Sequence, residues 1–85
     1  MENALPKKRI ALFGSTGSIG TQALEVIRAN AGLFEAEILT AQSNHTLLIA
    51  QAIEFKPNAV VIGDETKYEL VKEALAGTDV KVFCR

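Results

Sequence analysis

The residues with the clearest chemical purpose are Gly14-Ser15-Thr16-Gly17-Ser18-Ile19-Gly20. Glycines at G-x-x-G-x-x-G spacing are interleaved with hydroxyl residues. Such a run suits wrapping backbone N–H groups around an anion. Gly14 permits a tight strand-to-helix turn, where positive φ would cost any residue with a Cβ. Gly17 has no side chain, so the backbone can approach a pyrophosphate closely. Gly20 lets a helix pack tightly on a sheet. The N–H groups of Gly17, Ser18 and Ile19 would open that helix and lack intrahelical acceptors. The hydroxyls of Ser15, Thr16 and Ser18 add donors. No lysine follows the last glycine, so this is not a P-loop. The plainer reading is an ordinary glycine-rich turn. Its place, directly after an apolar strand and before a helix, favours a dinucleotide-binding turn.

A second cluster, Ala41-Gln42-Ser43-Asn44-His45, falls at the end of the second predicted strand. In dinucleotide folds an acidic residue there holds the ribose hydroxyls, and a basic one receives a 2′-phosphate. Neither kind is present. Gln42, Ser43 and Asn44 can donate hydrogen bonds to a phosphate, and a helix N-terminus favours negative charge. Ser43 or Asn44 also reads as a plain N-cap. His45 reads as an exposed residue in the first turn.

Alternating elements must position these turns. Arg9 to Phe13 is a continuous apolar strand. Ile19, Ala23, Val26 and Ile27 recur at helical spacing, with Asn30 and Gly32 as the stop. Residues 36–41 form the second strand. Leu48, Ala52 and Phe55 mark a second helix, ended by Pro57. Residues 58–62 form the third strand. Asp64 caps a third helix carrying Tyr68, Val71 and Leu75, closed by Gly77. Residues 80–84 form the fourth strand. The order β-α-β-α-β-α-β predicts an α/β Rossmann-like parallel sheet of order 3-2-1-4, with helices on both faces.

Other reactive residues read as structural. Asp64 and Glu65 are a cap and first-turn charge. Glu69 and Glu73, with Lys72, form a solvated face. Tyr68 packs beside Val71, and Cys84 is expected to be buried. No helix follows the fourth strand, so the sheet around Leu12, Val82 and Phe83 would be half covered. The chain therefore reads as a fragment of a larger domain, truncated at Arg85. Residues 1–85 read as the N-terminal part of a dinucleotide-binding domain, with residues 1–7 as a loose tail. The plainer alternative is a small dimer that pairs its open edges.

Composition narrows the function. Nine basic and ten acidic residues leave a charge of −1, which argues against a nucleic-acid binder. One cysteine and one histidine exclude an internal disulfide and a Cys- or His-rich metal site. No apolar run approaches the ~18 residues of a spanning helix, and residues 10–13 are too short for a secretory segment. A cytoplasmic protein is expected.

Arg9-Ile-Ala-Leu-Phe-Gly-Ser-Thr-Gly-Ser-Ile-Gly-Thr-Gln-Ala-Leu-Glu-Val-Ile-Arg28 resembles the N-terminus of the 1-deoxy-D-xylulose 5-phosphate reductoisomerase family. The resemblance continues through Leu39–Asn44, Leu48, Gln51, Glu54-Phe55 and Pro57, and weakens after Ile62. It implies the NADPH-binding portion of a larger enzyme. That enzyme isomerises and reduces 1-deoxy-D-xylulose 5-phosphate to 2-C-methyl-D-erythritol 4-phosphate in non-mevalonate isoprenoid biosynthesis, and is a homodimer needing Mg²⁺ or Mn²⁺. By position, Thr16, Gly17, Ser18 and Ile19 meet the cofactor phosphates, and Gln42, Ser43 and Asn44 occupy the 2′-phosphate loop. Many members carry a basic residue where Ser43 stands. The resemblance places the metal carboxylates and the sugar-phosphate site downstream, so no catalytic or metal residue is expected here, and the 85 residues alone are expected to be inactive. Two alternatives stay open. One is another Rossmann oxidoreductase, of the epimerase or semialdehyde dehydrogenase type. The other is a non-catalytic nucleotide-sensing module.

Overall fold

The computed structural model describes residues 6–85. Most of the expected loose tail lies outside these residues; Pro6 and Lys7 are exposed and carry no regular structure. The elements follow in the predicted order. They are β1 (Lys8–Leu12), α1 (Ser18–Ala29), β2 (Phe34–Ala41), α2 (His45–Phe55), β3 (Ala59–Ile62), a 3₁₀ turn (Glu65–Lys67), α3 (Tyr68–Ala74) and β4 (Lys81–Cys84). All strand pairs are parallel.

The sheet order is β1-β2-β3-β4, not 3-2-1-4. The third crossover continues outward and sets β4 beside β3, instead of returning across the sheet to β1. A right-handed connection satisfies either arrangement. What fixes the outcome is α3. Its Val71, with Leu75 just beyond, packs into the same cluster as Leu24 and Ile27 of α1 and Leu48 and Ala52 of α2. All three helices therefore lie on one face, which corrects the expectation of helices on both.

Beneath them Leu12, Leu39, Val60 and Val82 sit side by side in register across the four strands. Leu39 and Val60 are completely buried. Side chains alternate along a strand, so the opposite face carries Phe13, Thr40, Val61 and Phe83. It has no helix over it, and Phe13 and Phe83 are 82% and 51% exposed. Cys84, expected to be buried, is exposed at the end of the edge strand.

The helix boundaries have local causes. Asn44 is the N-cap of α2, its Oδ1 accepting the Leu47 N–H at 3.2 Å. Asp64 caps the 3₁₀ turn, accepting from the Thr66 N–H and hydroxyl at 2.9 and 2.6 Å. α1 stops at Asn30, which satisfies the last carbonyls. α2 ends at Lys56 in the left-handed region (φ 49°), just before Pro57. Gly77 plays no part in closing α3, which ends at Ala74.

Candidate cofactor site

The glycine run forms the turn between β1 and α1, at the carboxyl end of the sheet. Parallel strands bring their ligand-binding loops to that end. Gly14 has φ +81°, so the turn needs a residue without a Cβ there. Its N–H donates to Thr40 Oγ1 at 2.8 Å, and the Ser15 N–H donates to the Thr40 carbonyl at 2.8 Å. Thr40, near the end of β2, thus anchors the turn from below.

Gly20 is required by packing. A Cβ there would sit 2.6 Å from Ser15 Cα and closer still to the Gly14 carbonyl oxygen. Gly17 is different. It is the exposed N-cap of α1 with φ −82°, and a Cβ would meet only the Gly14 oxygen at an ordinary 3.6 Å. Neither backbone conformation nor space demands glycine at Gly17, which leaves the turn open on its solvent side.

The amides divide. The Gly17 N–H closes the turn on the Gly14 carbonyl at 3.1 Å and is not the free donor expected. Among the described hydrogen bonds, the N–H groups of Thr16, Ser18 and Ile19 find no acceptor in the chain. No acidic residue occupies the first turn of α1. The positive end of the helix dipole is therefore unneutralised, as an anion site needs. Beside it runs a groove of about 440 Å³ lined by Leu12, Phe13, Gly17, Ser18 and Ile19. Ile19, expected on the buried stripe of α1, is 83% exposed and borders this groove.

Ser15 does not present its hydroxyl to this groove. It is completely buried, and its Oγ donates to Gln51 Oε1 at 2.7 Å. Gln42, Ser43 and Asn44 are exposed at the carboxyl end of β2. The Asn44 side chain is engaged as a cap, whereas Ser43 forms no side-chain hydrogen bond among the described residues. The Gln42 carbonyl accepts the Asp64 N–H at 2.6 Å, and its side chain lies over Gly63, where no Cβ would fit without moving it. Thr40, Gln51 and Gly63 are the supporting residues that sequence reasoning missed. A signal existed for Gln51, a polar residue on the apolar stripe of Leu48, Ala52 and Phe55.

A hollow at the other end of the sheet fits less well. Arg9, Glu35, Glu37, Lys56 and Asp79 line a polar hollow at the amino ends of the strands, away from any helix N-terminus. Among the described residues no three of His, Cys, Asp and Glu converge on one point.

A family model described as 1-deoxy-D-xylulose 5-phosphate reductoisomerase matches residues 10–85. The chain belongs to that family. The Bacteroides fragilis reductoisomerase is 56% identical over 81 residues, which cover 95% of this chain and 21% of that protein. The Porphyromonas gingivalis reductoisomerase is 54% identical over 78 residues, 92% of this chain and 20% of that one. The fold agrees with a solved reductoisomerase from Zymomonas mobilis in complex with NADPH. Its TM-score is 0.88 at 33% identity, over 93% of this chain and 21% of that one. A second reductoisomerase, in complex with NADPH, fosmidomycin and magnesium, matches with TM-score 0.85 at 29% identity, over 92% of this chain and 19% of that one. This chain thus spans about a fifth of the length of the reductoisomerases it matches.

Proposed function

We propose that these residues are the NADPH-binding portion of a reductoisomerase that converts 1-deoxy-D-xylulose 5-phosphate to 2-C-methyl-D-erythritol 4-phosphate in isoprenoid biosynthesis. The observation that carries this reading is the bare, exposed Gly17, followed by Ser18 and Ile19 amides that have no acceptor. A dinucleotide pyrophosphate fits there, because the donors and the dipole share one direction. The Thr16, Ser18 and Ile19 amides and the Thr16 and Ser18 hydroxyls bind it. Gly14 and Gly20 shape the turn, and Ser15 supports it from inside. Gln42, Ser43 and Asn44 flank the adenosine 2′-phosphate through hydrogen bonds and the N-terminus of α2, without a formal charge.

NADPH supplies the hydride. This chain binds and orients the cofactor and contributes no acid, base or metal ligand. In this reading Mg²⁺ or Mn²⁺ and the sugar phosphate are held by other segments of the complete enzyme, of whose length this chain spans about a fifth. The complete enzyme is a cytoplasmic homodimer in this reading. Family membership removes the ground for the other Rossmann oxidoreductases and for a nucleotide sensor.

The test is an assay of the complete protein. NADPH absorbance should fall only when 1-deoxy-D-xylulose 5-phosphate and Mg²⁺ are both present, and the 85 residues alone should oxidise none. A complete protein that leaves NADPH unchanged with its substrate would overturn the proposal.

A further inference from the structure

We propose that Gln51 is a positioning residue of the phosphate turn. Acting through Ser15, its carboxamide directs the free Thr16 amide outward and ties the turn to the helix that carries the Gln42–Asn44 loop. The inference rests on the reading of the turn as an NADPH site.

Ser15 and Gln51 are 0% and 6% exposed, in a core otherwise built of apolar side chains. They exchange two hydrogen bonds. Ser15 Oγ donates to Gln51 Oε1 at 2.7 Å, and Gln51 Nε2 donates to the Ser15 carbonyl at 2.9 Å. The Ser15 N–H is held separately by the Thr40 carbonyl at 2.8 Å. Every polar atom of Ser15 therefore has a partner. The consequence follows from the planar trans peptide, in which C=O and the next N–H point in opposite directions. The Ser15 carbonyl points inward to Gln51, so the Thr16 N–H of the same peptide unit points away from it. That amide has no acceptor in the chain. Rotating this one peptide plane would remove a donor from the site.

Gln51 has a second connection. It lies on α2, directly after the Gln42–Asn44 loop. Its side chain thus adds a second tie, beside the Thr40 hydrogen bonds, between the pyrophosphate turn and the element that carries the candidate 2′-phosphate loop. Water does not replace it readily, because a buried polar group stripped of its partner keeps its desolvation cost.

The test uses the complete enzyme and NADPH itself, with Gln51→Leu, Ser15→Ala and the double variant. Gln51→Leu keeps the volume and removes both bonds. It should weaken NADPH binding about tenfold, the effect of one charge-assisted contact. The KM for the sugar phosphate and kcat at saturating NADPH should stay near wild type, a split that general loss of folded protein does not produce. Ser15→Ala should weaken binding less, since the carbonyl bond survives. The double variant should lie close to Gln51→Leu alone, because the shorter contact of the hydroxyl is to Gln51 at 2.7 Å and its other contact, to the Thr40 carbonyl, is long at 3.3 Å. If Gln51→Leu does not fold, Ser15→Ala decides, and wild-type affinity there contradicts the proposal. Effects that multiply in full in the double variant would also contradict it, since the hydroxyl would then act independently of Gln51. A wild-type protein that binds no NADPH would overturn the functional reading on which the proposal rests.

Discussion

Gly14, Gly17 and Gly20 sit within one turn and answer to different constraints. Gly14 is needed for its positive φ and Gly20 for lack of room, whereas Gly17 is free of both. Gly20→Ala would press a methyl group against the Gly14 and Ser15 backbone, which cannot move aside as a flexible side chain would. The expected cost is about 1–3 kcal/mol, the usual range for overpacking, together with weakened NADPH binding. Chemical denaturation of the complete protein checks the first effect and a cofactor titration the second. Unchanged stability would mean that the helix relaxes away from the turn. The roles of Gly14 and Gly20 were legible from their place between strand and helix. The inward turn of Ser15 was not, because its direction is set by a partner 36 residues away.

At the scale of elements, two carboxylates tie the surface together. Glu54 of α2 pairs with Arg28 of α1 through two hydrogen bonds, the shorter at 2.5 Å. The Arg28 guanidinium also lies 5.2 Å from the centre of the Phe55 ring. The hydrogen bond from Arg28 holds the Glu54 carboxyl below its ordinary value of 4.5. The Thr66 hydroxyl and N–H hold Asp64 below its ordinary 3.8. A folded-state pKa below the unfolded one means that the stabilisation is complete above the ordinary value. It is lost as pH falls through the lowered value. The melting temperature should therefore fall as the solution is acidified below about pH 4.5. Asp64→Asn and Glu54→Gln should each flatten that fall, modestly, because both groups are solvated. An acid limb of the same slope in both variants would contradict this account.

Element boundaries were legible where a side chain makes the cap, as at Asn44 and Asp64. They were not legible where the backbone alone does so. Lys56 takes a left-handed conformation that its residue type does not announce, and α3 stops at Ala74 where the Leu75 N–H closes on the Val71 carbonyl.

At the scale of the molecule, the alternation of strand and helix was readable from continuous apolar strands such as Ala59–Ile62 and from the glycine turn. The order of the strands was not. Periodicity records which residues face inward, and a right-handed crossover from β3 is equally regular whether it continues outward or returns to β1. Only the packing of Val71 and Leu75 against α2's layer decides, and that contact is not local in sequence. The outcome places all helices on one face and leaves Phe13, Val61 and Phe83 on the other. It also keeps the β1–α1 turn and the end of β2 adjacent at one end of the sheet, as a single bound dinucleotide requires.

The most direct measurement is an NADPH titration of the complete protein, followed by cofactor fluorescence, for wild type and Gly17→Val. Gly17 has an extended backbone and space for a Cβ, so the variant should fold, at a cost of about 1 kcal/mol for valine in place of an N-cap glycine. Its branched side chain should stand where the pyrophosphate approaches, and NADPH affinity should fall by about a hundredfold or more, two contacts' worth at roughly tenfold each. A folded Gly17→Val protein that binds NADPH as tightly as wild type would show that the cofactor does not use this turn.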